Sequence, residues 1–121
     1  MTESTRWTNE KFGGYHIRQP LEDDVDLTRV GPMQPCGEYI RRFWFPVAMS
    51  EQLKERPVPI RILGEDLVAF RDLSGTIGLL HRHCSHRRMS LEYGRIEQNG
   101  IRCAYHGWQF DVDGTILDTP G

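Results

Sequence analysis

Two thiols and two imidazoles arrive as short pairs, Cys84-Ser85-His86 and Cys103-Ala104-Tyr105-His106, with sixteen residues between them. Donors so spaced can close on one centre only if the chain doubles back between the pairs, so the motif demands a turn and a scaffold stiff enough to hold two loops side by side. Asn99-Gly100 supplies the turn, a strong two-residue hairpin signal that is predicted to join Arg95–Gln98 to Ile101–Cys103. Asp113-Gly114 marks a second one, between Gln109–Val112 and Thr115–Leu117. Upstream, Val58–Leu63, Leu67–Arg71 and Thr76–Leu80 are predicted strands separated by the turn segments Gly64-Glu65-Asp66 and Asp72–Gly75, a β-meander. The chain is therefore expected to be mainly β, with both donor pairs at hairpin tips.

The donor types select a chemistry. Two cysteines and two histidines fit a [2Fe–2S] cluster in which thiolates hold one iron and imidazoles the other. Two ferric ions, two sulfides and two thiolates sum to zero, so such a cluster is neutral when oxidised. An all-cysteine cluster carries two more negative charges, so an electron enters the mixed-ligand centre more easily and its potential is higher. Each loop is expected to give its cysteine to the inner iron and its histidine to the outer one, with the imidazoles facing partners. An imidazole on iron with a free outer nitrogen couples its proton to the oxidation state, making electron transfer pH-dependent. Zinc accepts the same donors in a tetrahedron, but usually from paired cysteines two to four residues apart followed by paired histidines. Here the order alternates and the first gap is a single residue.

The stretch from His83 to Gly121, with its CSH and CAYHGW motifs, resembles the Rieske domain at the N-terminus of the large subunit of Rieske non-haem iron oxygenases. Leu27–Leu53 and Ile62–Leu80 are similar to that family too, in particular to its phthalate dioxygenase-like branch. The resemblance implies antiparallel Rieske-type sheets with two cluster-binding loops and a cluster held by Cys84, His86, Cys103 and His106. It also implies a reductase or ferredoxin as electron donor, a mononuclear Fe(II) catalytic domain as acceptor, and a homotrimer in the full-length protein. The family commonly has proline where Ser85 stands and glycine where Arg88 stands, which would leave the first loop less rigid here. Respiratory Rieske proteins carry a further cysteine near Met89 and a serine where Trp108 stands. Without those donors to cluster sulfur, the potential is expected near the low end of the Rieske range, about −150 mV. In the family the tryptophan covers the cluster, a role Trp108 can combine with ordinary core packing. By position Arg87 and Gly107 are further candidates beside the site, Arg87 and Arg88 being otherwise a solvated loop pair, and Tyr105 is expected either to lend its hydroxyl or simply to pack.

A mononuclear iron site needs two histidines and a carboxylate. No histidine follows His106 and the earlier ones form no convincing triad, so that site is expected outside these residues. The resemblance likewise implies that closing strands continue the sheet past Gly121. A free-standing Rieske ferredoxin is the alternative, and a zinc-stabilised binding module a third reading. Formal net charge of −2 gives no electrostatic case for nucleic acid or an anionic membrane. No apolar run reaches membrane-spanning length, and Met1–Lys11 is polar rather than a signal peptide, so the cytoplasm is the expected compartment.

Two parts are expected: an N-terminal arm over residues 1–34, loosely held, with Gly13-Gly14 and the acidic run Glu22-Asp23-Asp24, and the Rieske domain over 35–121. Within the latter, Pro35–Trp44 is predicted to form a short helix, with Ile40, Phe43 and Trp44 packing on the sheet while Arg41 and Arg42 face away. Cys36 is expected as a buried thiol at its start. His16, His81 and His83 are left outside the site.

Overall fold

A computed structural model describes residues 22–121; His16, Gly13-Gly14 and Met1–Lys11 lie outside the described residues. Two antiparallel sheets carry the chain. The first takes β1 (Val58–Ile62), β2 (Glu65–Arg71) and β3 (Ile77–His81) in sequence order, and the second β4 (Arg95–Ile96), β5 (Ile101–Arg102), β6 (Gln109–Phe110) and β7 (Ile116–Asp118). The fold is thus mainly β, as expected, although β4, β5 and β6 are shorter than their sequence patterns and β7 is displaced by one residue. Two short helices precede the sheets, α1 (Val25–Thr28) and α2 (Pro35–Ile40).

The β1–β2 turn falls one residue earlier than expected. Ile62 pairs with Glu65, leaving Leu63 and Gly64 as a two-residue loop, both at positive φ (50° and 74°), as the right-handed twist of a hairpin requires. β2 is central in its sheet, and Val68, Ala69 and Phe70 are buried in succession. Val68 and Phe70 meet Leu91, Ile101 and Phe110 in one core cluster that spans the two sheets and includes Cys84 and Cys103.

Asp72 fastens the sheets to each other. One carboxylate oxygen accepts from the Ser74 hydroxyl (2.6 Å) and from the N–H groups of Ser74 and Thr76 (3.0 Å each) in the β2–β3 turn. The other accepts from the N–H of Gly100 (3.1 Å) in the β4–β5 turn. Gly100 sits at φ 75°, and a Cβ there would lie 1.8 Å from the Phe110 carbonyl oxygen, so only glycine fits. The β4–β5 hairpin, whose second strand leads into the second loop, is thereby tied to the first sheet.

The region before the sheets departs from expectation. α2 ends at Ile40, too short to present a continuous apolar stripe, and Phe43 and Trp44 are exposed (55% and 102%) rather than packed on the sheet. Arg41 does not face away. Its guanidinium donates to the carbonyls of Val30 (3.0 Å), Gly31 (3.3 Å) and Leu63 (2.7 Å) and pairs with Glu65 (3.1 Å), so it pins α2 to the β1–β2 turn. An arginine gains more from four oxygen partners than the helix would from an outward charge. Cys36 lies in the first turn of α2 but is half-buried, not buried. Part of the expected loose arm, from residue 22 on, contains α1, whose N-terminus Asp24 caps by accepting from the Asp26 N–H (3.0 Å).

Candidate metal centre

Both donor loops are built on one hydrogen-bond frame. In the first, the Cys84 N–H donates to the Met89 carbonyl (2.8 Å) and the Arg88 N–H donates back to the Cys84 carbonyl (2.8 Å). In the second, the Cys103 N–H donates to the Trp108 carbonyl (2.8 Å) and the Gly107 N–H to the Cys103 carbonyl (3.2 Å). The residue four places after each cysteine, Arg88 or Gly107, takes the left-handed conformation (φ 61° and 80°) that turns the chain back. Arg88 therefore keeps the turn that the family's glycine would make and carries backbone strain in doing so. The second loop sits at the tip of the β5–β6 hairpin, as expected. The first is closed by a single bridge, His83 to Ser90, and connects the two sheets instead of capping a hairpin within one.

These frames sort the donors by depth. Cys84 and Cys103 are buried (2% and 4% exposed) at the end of the core, whereas His86 and His106 are exposed. The two imidazole rings lie 4.9 Å apart, centroid to centroid, at 65°. Burial pushes the Cys84 thiol up from its ordinary value, opposed by the backbone N–H groups of His86 and Arg87, and the adjoining Cys103 thiol adds to the rise. Those N–H groups are aimed at the sulfur and would stabilise it as a thiolate on a metal.

The donor set fits a two-iron cluster better than a single ion. What is gathered is a buried sulfur pair and an exposed nitrogen pair, the division that two irons bridged by sulfides call for. The model of the Rieske [2Fe-2S] domain family matches residues 43–121. The chain belongs to this family.

This Rieske domain is 51% identical, over 90% of its length, to the oxygenase subunit of tert-butanol monooxygenase / tert-amyl alcohol desaturase from Aquincola tertiaricarbonis, of which it covers 24%. It is 47% identical to the oxygenase subunit of phthalate 4,5-dioxygenase from Pseudomonas putida, over 80% of this chain and 23% of that protein. Among solved structures, dicamba monooxygenase bound to dicamba matches with a TM-score of 0.63 and 32% identity, over 67% of this chain and 26% of that one. The chain thus spans about a quarter of the length of these relatives.

Trp108 both packs and adjoins the site. Its ring is half-buried against the core cluster and stacks parallel on His86, 4.7 Å between centroids. Tyr105 is exposed and lies against the His106 ring (3.7 Å). His81 and His83 are exposed. Two supporting residues escape a motif search. Asp72 is one, and its Asp-x-Ser-Gly-Thr turn is a signal for an Asx-turn but not for the bond to Gly100. Arg102 is the other. Its guanidinium donates to the Gly107 carbonyl (2.6 Å), Gln109 (2.6 Å), Asp118 (2.9 Å) and Glu97 (3.0 Å), clamping the second loop's turn to β7 and to the β4–β5 hairpin. Hydrogen bonds to Asp118 and then Glu97 raise its pKa further, so it is a fixed charge.

Proposed function

We propose that this chain is the electron-transfer domain of a Rieske-type oxygenase subunit, with Cys84 and Cys103 on the inner iron and His86 and His106 on the outer one. The observation that carries this reading is the buried thiol pair beneath an exposed imidazole pair, on two loops with one hydrogen-bond frame. When bound, the cluster supplies one-electron redox chemistry near the low end of the Rieske range, about −150 mV. The chain's own residues do the rest. The core around Cys84 and Cys103 excludes water from the sulfur side. The exposed His86 and His106 bring the outer edge of the centre to the protein boundary, where an electron can cross. Loops tied through Asp72 and Arg102 limit rearrangement when the charge changes.

The electron donor is a reductase or ferredoxin, and the acceptor a mononuclear iron site in a catalytic domain, in an assembly that the resemblance makes a homotrimer. The named relatives are oxygenase subunits, which favours this reading over a free-standing carrier. Among the described residues no helix is long and apolar enough to cross a membrane, and the cytoplasm is the compartment we assign. The test is reconstitution of the purified chain with iron and sulfide. Two irons and two labile sulfides per chain are expected, with visible absorption and, after reduction, an EPR signal whose average g lies below the free-electron value. Cys84→Ser or Cys103→Ser should abolish all of these. A folded, colourless protein that takes up one zinc would refute the proposal.

A further inference from the structure

Arg88 occupies the one position of the first loop that glycine would fill without strain, as Gly107 does in the second. Among the described residues the Arg88 side chain has no ion pair and no hydrogen bond to offset that strain, and neither has its neighbour Arg87. The carboxylate that shares a hollow with Arg88, that of Asp66, is already engaged by Arg61 (2.9 Å) and Arg82 (3.8 Å). Both Arg87 and Arg88 are exposed, and they follow His86 directly. Neither loop, 84–90 or 103–108, contains an acidic residue. Two cations with no partner among the described residues therefore stand directly after His86 in the first loop, Arg88 beside Cys84 and Ser85, on a chain whose formal net charge is −2. Backbone strain held at a functional loop without internal return points to an external partner for the side chain.

We propose that Arg88 is a docking residue that receives a carboxylate-rich face of a reduced electron-carrier protein at the His86–His106 edge. This rests on the cluster reading above. The step served is a single-electron exchange: the carrier's reduced centre is oxidised by one electron, the chain's oxidised cluster is reduced by one, and no bond forms or breaks. The guanidinium fork matches a carboxylate in two hydrogen bonds, and an unpaired cation steers an acidic partner to this edge in preference to the rest of a mildly acidic surface.

The test compares cluster-loaded wild-type chain with Arg88→Gly and Arg88→Lys. Stopped-flow reduction uses two probes, a reduced acidic plant-type [2Fe–2S] ferredoxin and the methyl viologen radical cation, and calorimetry gives the affinity for the oxidised ferredoxin. The Arg88 N–H that frames the loop is backbone and persists in every variant. At low ionic strength R88G should slow ferredoxin reduction by about fivefold and weaken ferredoxin binding similarly, with R88K intermediate, and the difference should close near 0.5 M salt. Reduction by methyl viologen should not slow, and R88G should melt at a higher temperature than wild type. An unchanged ferredoxin rate, or equal slowing with both reductants, overturns the docking role and leaves the cluster reading standing. A wild-type chain that takes up no cluster overturns both.

Discussion

Replacing Asp72 by asparagine should cost this domain about 2–3 kcal/mol, a figure that follows from its four hydrogen bonds. Asparagine has nearly the same shape but one acceptor oxygen. If that oxygen keeps the three donors of the β2–β3 turn, the amide –NH2 faces the Gly100 N–H, and a charge-assisted bond worth about 1.5–3 kcal/mol is lost at a buried site. The three retained bonds also weaken, from ionic to neutral. For a domain of this size the loss corresponds to a melting temperature lower by about 10 °C.

The pH dependence has a definite sign. Desolvation alone would raise the Asp72 pKa, but the Ser74 hydroxyl and the N–H groups of Gly100, Thr76 and Ser74 outweigh it and hold the carboxyl below its ordinary value. A carboxyl with a lower pKa folded than unfolded binds fewer protons in the native state. Its stabilisation is fully present above the unfolded value, about pH 4, and is lost as pH falls through the folded pKa. Melts of cluster-loaded wild type and D72N, followed by far-ultraviolet circular dichroism from pH 8 to pH 4, therefore give a constant gap down to about pH 5 that begins to narrow near pH 4. The difference between the two proteins cancels the cluster's own contribution. Equal stability at neutral pH, or a gap that widens in acid, would refute the role of Asp72 as a charged tie between the sheets.

The two left-handed loop positions should respond oppositely. Arg88→Gly relieves a conformation that costs an L-residue about 1–2 kcal/mol, against about 0.5–1 kcal/mol of extra chain entropy in unfolded glycine, a net gain of about 0.5–1 kcal/mol. Gly107→Ala should lose about 1 kcal/mol from the backbone alone, since the new Cβ would meet nothing nearer than Pro120 Cγ at 3.4 Å. Urea midpoints of the loaded variants measure both, and a shift of the same sign in each would contradict the shared frame. Arg102→Gln should cost about 1–2 kcal/mol, modest because the side chain is partly exposed, and should speed cluster loss to a chelator by freeing the Gly107 carbonyl. Unaltered cluster retention in R102Q would show that the clamp does not hold the second loop.

What could be read from the sequence was local. Asn99-Gly100 and Asp113-Gly114 announce their turns because the required backbone conformations belong to those residue types, and the Cys and His pairs announce a metal because few other chemistries use them so close together. The β1–β2 turn slipped by one residue because Leu63 gives no such announcement, yet its φ is 50°. What stayed hidden depends on partners distant in sequence. Arg41 looked like a solvated charge until the turn carbonyls and Glu65, twenty-four residues away, came within its reach. The bond from Gly100 to Asp72 spans twenty-eight residues. The aromatic pattern at Phe43 and Trp44 promised packing that six helical residues could not deliver.

The two loops are alike in backbone and unlike in side chain, and both properties bear on the site. The common frame puts each cysteine at the same depth in the core, which sets the sulfur pair. The histidine then follows its cysteine by two residues in the first loop and by three in the second, so the rings leave the frame in different directions and meet at 65° rather than stacking on each other. The fifth residue after each cysteine diverges as well. Met89 packs against the core from the first loop, whereas Trp108 in the second reaches across to lie parallel on His86. His86 is thus braced by Trp108 of the opposite loop, whereas His106 is flanked by Tyr105 of its own loop and by the edge of His86. Because Trp108 belongs to the loop of Cys103 and stacks on the loop of Cys84, the loops are joined at the outer edge by an aromatic contact and at the inner edge by neighbouring thiols. On the proposed reading, a cluster held between loops clamped at both edges could change charge without the loops parting, which is what repeated one-electron transfer asks of a scaffold.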